Sequence, residues 1–474
     1  MTADRRVAFT TLGCKVNQYD SEAMAELFRK AGYDVVDFDR AADVYVINTC
    51  TVTGRGAAKS RQLIRQAVQR NPAAAVVVAG CYPQTAAGEV LAIPGVSVAL
   101  GTVDRHQVVE LAEEALARSE SSGGREGPKP VNAVSDVMAA REFEETPIGA
   151  FSGRTRAAVK VQEGCDYRCT YCIIPYARGP VRSRPAAEVI TEVRRLVEAG
   201  FKEIVLTGIH LGSYGLDRTR AGGGRAPGGG DGARPGAVLV ELIRQVLTVP
   251  GLLRLRLSSL EPAHANPELI ELLASEPRLC RHLHLSLQSG SPAILRRMGR
   301  HYTADEYRRT VQALRARVPL LGLSTDVMVG FPGETEEHFR ESLAFVREMA
   351  FSRLHVFPYS PRPGTPAASY PDQVARTVKE YRSRRMIELG RELALNYHRR
   401  WIGQAVEVLV EGRVEEGAEE GVEGRARDSA ALWQGYTDTY VRVTFRAAGD
   451  RENRVVTVQA KGFDEAGIRG ELRE

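Results

Sequence analysis

Apolar runs alternate with helical patterns along the first 116 residues. Strand-like segments occur at 5–12, 33–38, 44–48 and 75–79. Helical periodicity lies between them, and Asp20 or Ser21 is placed to cap a first helix that is predicted to end near Ala31. Strands that alternate with helices indicate a parallel, doubly wound sheet. We therefore predict an amino-terminal α/β domain over residues 1–116.

The same pattern of a strand followed by a helix continues in the middle of the chain. The strand-like runs there are 157–162, 203–207, 253–258, 282–287, 323–329 and 354–359. Helical periodicity between them is clearest over 186–199, 267–275, 303–318 and 334–349. These units predict an open (β/α)6 barrel which, with a helical connector, spans residues 150–400. Catalytic groups in such barrels lie at the carboxyl ends of the strands.

Three further segments have patterns of their own. Residues 117–149 lack helix and strand signals and are predicted to be an interdomain linker. Residues 217–235, rich in Gly, Arg and Pro, are predicted to be a disordered surface insertion. In residues 401–474, strand patterns at 405–410, 435–445 and 454–460 predict a small antiparallel β-barrel.

Composition adds a compartment and a charge distribution to this picture. The chain has 474 residues and seven cysteines, and no segment resembles a secretory signal, so we expect a reducing, cytoplasmic location. No apolar run reaches the length of a membrane span. The net charge of +5 is uneven, because residues 401–474 are net acidic and the preceding residues net basic. A polyanion is therefore expected to bind mainly along the first 400 residues.

Three thiols spaced CxxxCxxC follow the first predicted strand of the barrel, at Cys165, Cys169 and Cys172. Three closely spaced thiolates can hold three irons of a [4Fe-4S] cluster, and without a fourth Cys nearby the last iron stays open to another ligand. Structural zinc is the alternative. Such zinc takes four ligands, usually from paired CxxC units, and no His or Cys follows at that spacing. The motif therefore favours a cluster with an open iron.

This motif, with an aromatic residue before its last Cys, resembles the signature of the radical S-adenosylmethionine (SAM) enzymes. The resemblance implies an open (β/α)6 barrel, SAM bound to the open iron, and a low-potential electron donor whose electron cleaves SAM to methionine and a 5′-deoxyadenosyl radical. Polar loops after the strands contain groups suited to hold SAM. The candidate SAM-binding residues are Tyr171, Thr207, Gly208, Ser259, Glu261, Gln288 and Asp326.

A second set of cysteines falls in the amino-terminal domain. Cys14, Cys50 and Cys81 each come just after the carboxyl end of a predicted strand, where sheets of this type bind ligands. Taken singly, each is better explained as a small buried hydrophobe. Together, their equivalent positions predict a second three-Cys cluster.

The segments Thr11–Ser21, Asn48–Thr53 and Gly80–Tyr82 resemble the amino-terminal domain of the methylthiotransferases, radical SAM enzymes with an auxiliary [4Fe-4S] cluster. Gly13–Ser21 and Gly80–Gln84 look most like the MtaB type. That type converts N6-threonylcarbamoyladenosine, beside the tRNA anticodon, to its 2-methylthio derivative. The resemblance implies that the Cys14, Cys50 and Cys81 triad holds the auxiliary cluster. It also implies that a methylated sulfur from this cluster joins adenine C2 after the radical has removed the C2 hydrogen.

Two regions resemble RNA-contacting parts of this family. Arg182 and Arg184 follow the cluster loop and could contact RNA phosphates or the SAM carboxylate. Residues 401–474 resemble a TRAM domain, an RNA-binding barrel of tRNA-modifying enzymes, in which Trp433, Tyr436 and Tyr440 are candidates for stacking on bases. The expected partner is a tRNA anticodon stem-loop, and we expect the protein to be a monomer.

Two alternatives remain at this point. A sister methylthiotransferase would share both clusters but act on N6-isopentenyladenosine in tRNA or on an aspartate of a ribosomal protein. A non-enzymatic, metal-containing RNA-binding protein would hold zinc and would not cleave SAM. Substrate assays separate the first alternative from our prediction, and SAM cleavage separates the second.

Overall fold

The computed structural model describes residues 5–121, 129–145, 148, 155–221, 235–414 and 430–473, with backbone only for 219–221. Its strands are β1 Arg6–Thr11, β2 Asp34–Val36, β3 Val44–Thr49, β4 Ala75–Gly80, β5 Val98–Leu100, β6 Val131–Ala133, β7 Arg156–Glu163, β8 Arg182–Ser183, β9 Glu203–Gly208, β10 Arg254–Leu257, β11 His282–His284, β12 Gly322–Val329, β13 Arg353–Pro358, β14 Ala405–Arg413, β15 Ala431–Tyr436, β16 Arg442–Ala447, β17 Val455–Asp464 and β18 Gly467–Leu472. Its helices are α1 Lys15–Lys30, α2 Gly54–Arg70, α3 Cys81–Leu91, α4 Val108–Ser121, α5 Ile174–Arg178, α6 Ala186–Glu198, α7 Leu216–Ala221, α8 Ala237–Leu247, α9 Pro267–Ser275, α10 Pro292–Arg297, α11 Ala304–Arg317, α12 Glu336–Met349 and α13 Arg376–Arg399. Within these ranges, no helix is both long and apolar enough to cross a membrane.

The amino-terminal domain is a parallel sheet in the order β2-β1-β3-β4-β5-β6. Its central strands β3 and β4 are buried at every position, as expected for a sheet with helices on both faces. The predicted doubly wound sheet is therefore confirmed. The predicted caps of its first helix are wrong, because α1 already begins at Lys15 and Asp20 and Ser21 are buried within it.

The segment predicted to be a linker contributes to this domain. Helix α4 continues to Ser121, and β6 pairs in parallel with β5, so that Val98 lies opposite Val131. The prediction of a structureless segment from residue 117 is therefore wrong at these two places. Residues 122–128 of the segment lie outside the described ranges.

The middle of the chain forms the predicted open barrel. Strands β7, β9 and β10 form one parallel group and β11, β12 and β13 another. Parallel bridges from Leu255 to Leu279 and from Leu260 to Leu285 join the two groups. At the open edge, β7 also pairs with the short antiparallel strand β8. Of the predicted insertion 217–235, residues 217–221 are helical in α7 and residues 222–234 lie outside the described ranges.

The carboxyl-terminal domain is a closed barrel in the order β14-β15-β16-β18-β17. All pairs are antiparallel except β16 with β18. The prediction of one strand over 435–445 is wrong, because the chain reverses between Thr437 and Tyr440, whose φ is +67°. A left-handed backbone of this kind belongs to turns and not to strands.

This turn closes the mouth of the central barrel where its strands begin. Arg254 donates a hydrogen bond to the Tyr436 carbonyl (3.0 Å), and Arg256 donates one to the Asp438 carbonyl (2.9 Å). A Cβ added to Gly322 would lie 2.1 Å from the Thr439 carbonyl oxygen. The two barrels are therefore in close backbone contact.

Candidate active site

The cysteines of the amino-terminal domain meet at the carboxyl edge of three adjacent strands. Cys14 precedes α1, Cys50 follows β3, and Cys81 is the first residue of α3. The start of a helix carries partial positive charge, which favours a thiolate. Close approach is built into the backbone, since a Cβ added to Gly13, at φ +111°, would lie 3.2 Å from the Cys50 Cβ. The structure thus brings together the three cysteines that the sequence placed after strands.

Arg178 completes this group from the central barrel. It is fully buried, and its Nε donates to the Cys81 sulfur at 3.2 Å while Nη2 donates to Asn17 Oδ1 at 2.5 Å. Burial raises the pKa of the Cys81 thiol to about 12 and also raises the pKa of Cys50. Buried thiolates need a cationic partner such as iron. The three cysteines therefore fit an iron–sulfur cluster. Arg178 itself belongs to the segment that follows the CxxxCxxC motif.

A buried ionic network lies behind Arg178 and joins the two domains. It contains three carboxylates and three cations within ion-pair distance of one another. Its members are Asp20, Arg105, Glu144, Lys160, Glu163 and Arg178. Asp20 accepts from Lys160 at 2.6 Å and from Arg178 at 2.8 Å. Because buried charges are costly unless paired, this network holds Arg178 beside Cys81.

The CxxxCxxC thiols lie in the loop that follows β7. Burial raises the pKa of all three thiols, that of Cys172 to about 12. Another thiol of the motif raises the pKa of Cys165 and that of Cys172 further, and Arg300 lowers the pKa of Cys169 and Cys172. Arg300 donates to the Cys169 sulfur at 3.3 Å, to the Tyr171 hydroxyl at 3.3 Å and to Glu261 at 2.6 Å. Each cysteine triad therefore has one buried arginine that donates to one of its sulfurs.

The arrangement of these thiols bears on the zinc alternative. In the described part of the chain, no three side chains of His, Cys, Asp or Glu are placed to hold a single metal ion. A [4Fe-4S] cluster needs a different arrangement, since each thiolate binds a separate iron.

The seventh cysteine, Cys280, is buried beside Arg256, at the end of the barrel closed by the carboxyl-terminal domain.

A cavity of about 720 Å³ is lined by Cys14 of the amino-terminal triad and by Ile174, which follows the CxxxCxxC motif. It reaches from Cys14 at the amino-terminal domain, through the barrel, to Tyr440 of the carboxyl-terminal turn. Four of the seven candidate SAM-binding residues line it: Thr207, Gly208, Ser259 and Asp326. The sequence did not single out four of its polar lining residues, which are Lys15, His284, Arg353 and His355. For Lys15 the sequence offers two signals, its position next to Cys14 and its place in the Gly13–Ser21 segment that resembles the MtaB type.

The other three SAM-binding candidates lie outside the lining. Tyr171 and Glu261 are held by Arg300, beside Cys169. Gln288 is buried in a left-handed conformation at φ +68°, and its Oε1 has no hydrogen-bond partner among the described residues. Strained residues and unpaired buried polar atoms concentrate at functional sites. Gln288 therefore remains a good candidate to contact SAM.

The predicted RNA-contacting residues are placed differently from what the sequence suggested. Arg182 and Arg184 are buried at 2% and 3% exposure, with Arg182 donating to the Arg178 carbonyl and Arg184 paired with Glu192. Trp433 fills the core of the small barrel at 1% exposure. These three predictions are wrong, because such side chains have no free surface for RNA. A basic run and an aromatic residue do not reveal their burial in the sequence.

The two remaining aromatic candidates form a stack. The Tyr436 and Tyr440 rings lie 5.1 Å apart at 30°, and the Arg156 guanidinium lies 5.0 Å from the Tyr436 ring centre. Tyr440 lines the cavity and its ring lies 5.0 Å from that of His282. Tyr440 thus lies at the end of the cavity that the carboxyl-terminal turn closes, which we call the floor of the candidate active site. A role for either ring in RNA stacking stays a prediction.

Comparison with known proteins agrees with this geometry. Residues 159–346 match the radical SAM superfamily, and residues 6–101 match the uncharacterized protein family UPF0004. Over 96% of this chain and 93% of the relative, the sequence is 44% identical to the threonylcarbamoyladenosine tRNA methylthiotransferase MtaB of Bacillus subtilis. The chain belongs to the radical SAM methylthiotransferase family. Membership implies that this methylthiotransferase is a transferase that uses SAM and an iron–sulfur cluster.

A second relative and a solved structure are also similar to this chain. The MtaB of Aquifex aeolicus is 38% identical over 85% of this chain and 92% of its own length. Among solved structures, the radical SAM methyltransferase TsrM of Kitasatospora setae has a TM-score of 0.53 and 19% identity, with 77% of each chain covered. This second similarity shows a shared fold.

Proposed function

We propose that this methylthiotransferase converts N6-threonylcarbamoyladenosine in the anticodon stem-loop of tRNA to its 2-methylthio derivative. Four relatives that bear this substrate in their names support the proposal, at 32–44% identity. Relatives named for dimethylallyladenosine in tRNA, or for ribosomal protein uS12, reach 37%. The highest identity therefore falls on the first group.

The observation that carries the proposal is the cavity that is lined both by Cys14 and by four candidate SAM-binding residues. A volume of about 720 Å³ lies within the range of small-molecule sites, roughly 300–1,000 Å³, so it can admit a modified nucleoside. A base in this cavity would share its lining with Cys14 and with Thr207, Gly208, Ser259 and Asp326. Replacement of a C–H bond by a C–S bond needs both groups at the same carbon.

The residues around the triads have distinct tasks in this proposal. Cys165, Cys169 and Cys172 would hold the cluster that binds SAM, and Cys14, Cys50 and Cys81 the auxiliary cluster. When bound, the first group supplies hydrogen abstraction from adenine C2 and the second supplies methylated sulfur. Arg300 and Arg178 would donate hydrogen bonds to the sulfurs, and the carboxyl-terminal turn would exclude water from the closed end of the barrel.

The tRNA itself needs exposed cations near the entrance, and the buried Arg182 and Arg184 cannot supply them. Helix α2, which follows Cys50, presents Arg55, Lys59 and Arg65 to solvent. Cations spaced along one exposed helix face are suited to phosphates. We therefore place the stem-loop backbone along α2, with its target base directed into the cavity.

The test is nucleoside analysis by mass spectrometry after anaerobic turnover with SAM and reductant. Three substrates are compared: tRNA with N6-threonylcarbamoyladenosine, tRNA with N6-isopentenyladenosine, and ribosomal protein uS12. The proposal predicts a methylthio product from the first alone. A product from either of the others and none from the first would overturn it. Cys81→Ala should abolish the reaction, whereas the matched variant Cys280→Ala should retain it.

A further inference from the structure

Lys15 is a cation without an anionic partner at the wall of the active-site cavity. It is the first residue of α1, beside Cys14, and its side chain lines the cavity. Among the described residues, none makes an ion pair or side-chain hydrogen bond with its ammonium group. Burial lowers the pKa of this ammonium, and so do the guanidinium groups of Arg256 and Arg156, whereas Tyr440 and Glu203 raise it. Lys15 is half-buried and lines the same cavity as Tyr440.

The cations near Lys15 already have their own anions. Arg156 is paired with Glu411 at 2.7 Å, and Arg256 with Glu203 at 2.6 Å. On the lining itself, Asp326 is the one carboxylate among the described residues, and it lies 3.3 Å from His284 Nε2. Arg353 adds a second cation to the same wall. Among the described lining residues, the two cations Lys15 and Arg353 therefore outnumber the one carboxylate.

A half-buried cation of this kind is stabilised when an anion joins it. The proposed substrate carries such an anion, since its threonylcarbamoyl group ends in a carboxylate. Adenine C2 and C6, which bears the N6 substituent, flank N1, and the long substituent can extend from C6 to a wall of the cavity other than the one at the reacting carbon. The floor lined by Lys15 and Tyr440 is a wall of that kind.

We propose that Lys15 binds the carboxylate of the threonylcarbamoyl group and thereby selects this substrate. The inference rests on the proposed function. Tyr440 donates its hydroxyl to the same carboxylate, and Arg353 adds long-range attraction. Lys15 is then a specificity-determining residue, because a neutral N6 substituent leaves its charge unpaired and is rejected.

The test compares wild type with Lys15→Met, which keeps the length of the side chain and removes its charge. Three anticodon stem-loops are used, carrying the threonylcarbamoyl group, its threoninamide analogue without the negative charge, or the isopentenyl group. Binding to the holoenzyme without reductant is measured by fluorescence anisotropy, and KM and kcat are measured with reductant. Lys30→Met, at the exposed far end of the same helix, is the matched control.

The inference predicts that Lys15→Met raises Kd and KM for the threonylcarbamoyl stem-loop by about 10- to 100-fold, the size of a lost hydrogen bond to a charged group. Binding of the threoninamide analogue should change less than about threefold. Equal weakening of all three stem-loops would assign Lys15 to a backbone phosphate and overturn the inference. A raised KM for SAM alone would assign it to the SAM carboxylate, with the same consequence.

Two outcomes separate this inference from the proposed function. If wild type does not modify the threonylcarbamoyl substrate, the proposed function fails. If wild type modifies it and Lys15→Met binds it equally well, the inference alone fails. Iron content and thermal melting of the variant, matched to wild type, show that a change in binding does not come from a lost cluster or fold.

Discussion

Replacement of Asp20 by Asn tests the buried network that joins the amino-terminal domain to the barrel. Asp20 is 2% exposed and accepts from Lys160 at 2.6 Å, from Arg178 at 2.8 Å and from Arg105 at 3.2 Å. The substitution preserves volume and removes one of three carboxylates that balance three cations. One buried cation is then left without an anion.

The expected loss of stability follows from that imbalance. Removing one partner of a buried ionic group costs about 3–5 kcal/mol. For a cooperative unit of about 150–250 residues this corresponds to a fall in Tm of roughly 6–20 °C. Thermal unfolding is followed under anaerobic conditions by circular dichroism. Asp305→Asn is the control, since Asp305 is 74% exposed and pairs on the surface with Arg308, where such a pair contributes about 1 kcal/mol or less.

The stabilisation by Asp20 should also depend on pH in a defined direction. Burial would raise the pKa of Asp20, but Arg105, Lys160 and Arg178 outweigh it and hold that pKa well below its usual range. The stabilisation is therefore complete above the unfolded pKa of about 3.9 and is lost as the pH falls toward the folded value. Wild type should exceed Asp20→Asn by a constant margin from about pH 6 to 8, and the margin should shrink below about pH 4. Equal Tm values at pH 7 would refute the reasoning.

Two other predictions follow from the contacts between domains. Arg178→Met should lose iron from the auxiliary site, because Cys81 loses its hydrogen-bond donor. Iron at the CxxxCxxC site should stay bound. Iron analysis that shows no loss would contradict this prediction. Gly322→Ala should cost about 1–3 kcal/mol, since its Cβ would clash with the Thr439 carbonyl. Gly88→Ala, with nothing within 4 Å, should be neutral or stabilising in the same melt.

The sequence was sufficient where a feature depends on strand order alone. Cys14, Cys50 and Cys81 were predicted to meet because the carboxyl ends of neighbouring parallel strands share one edge, and the structure has these ends in β1, β3 and β4. The open barrel followed in the same way from repeated strand–helix units. Such features require the pattern of apolar positions and no knowledge of distant contacts.

The sequence was insufficient where a side chain is defined by its partners. Arg178, Arg182 and Arg184 belong to one basic run, yet all three are buried. Arg178 is placed by Asp20 and Cys81, far from it in the chain, and Arg184 by Glu192. Periodicity cannot reveal pairs of this kind. Likewise, the pattern over 435–445 predicts a strand through Tyr440, because nothing local shows that a turn there contacts the central barrel.

Iron and acid-labile sulfide per chain, after anaerobic reconstitution, decide whether the chain holds two clusters. Wild type is compared with Cys14→Ala/Cys50→Ala/Cys81→Ala and with the single variant Cys280→Ala. Two clusters predict about eight irons in wild type and in Cys280→Ala, and about four in the triple variant. About four irons in all three proteins would contradict the auxiliary cluster, and sulfur insertion between the two triads with it.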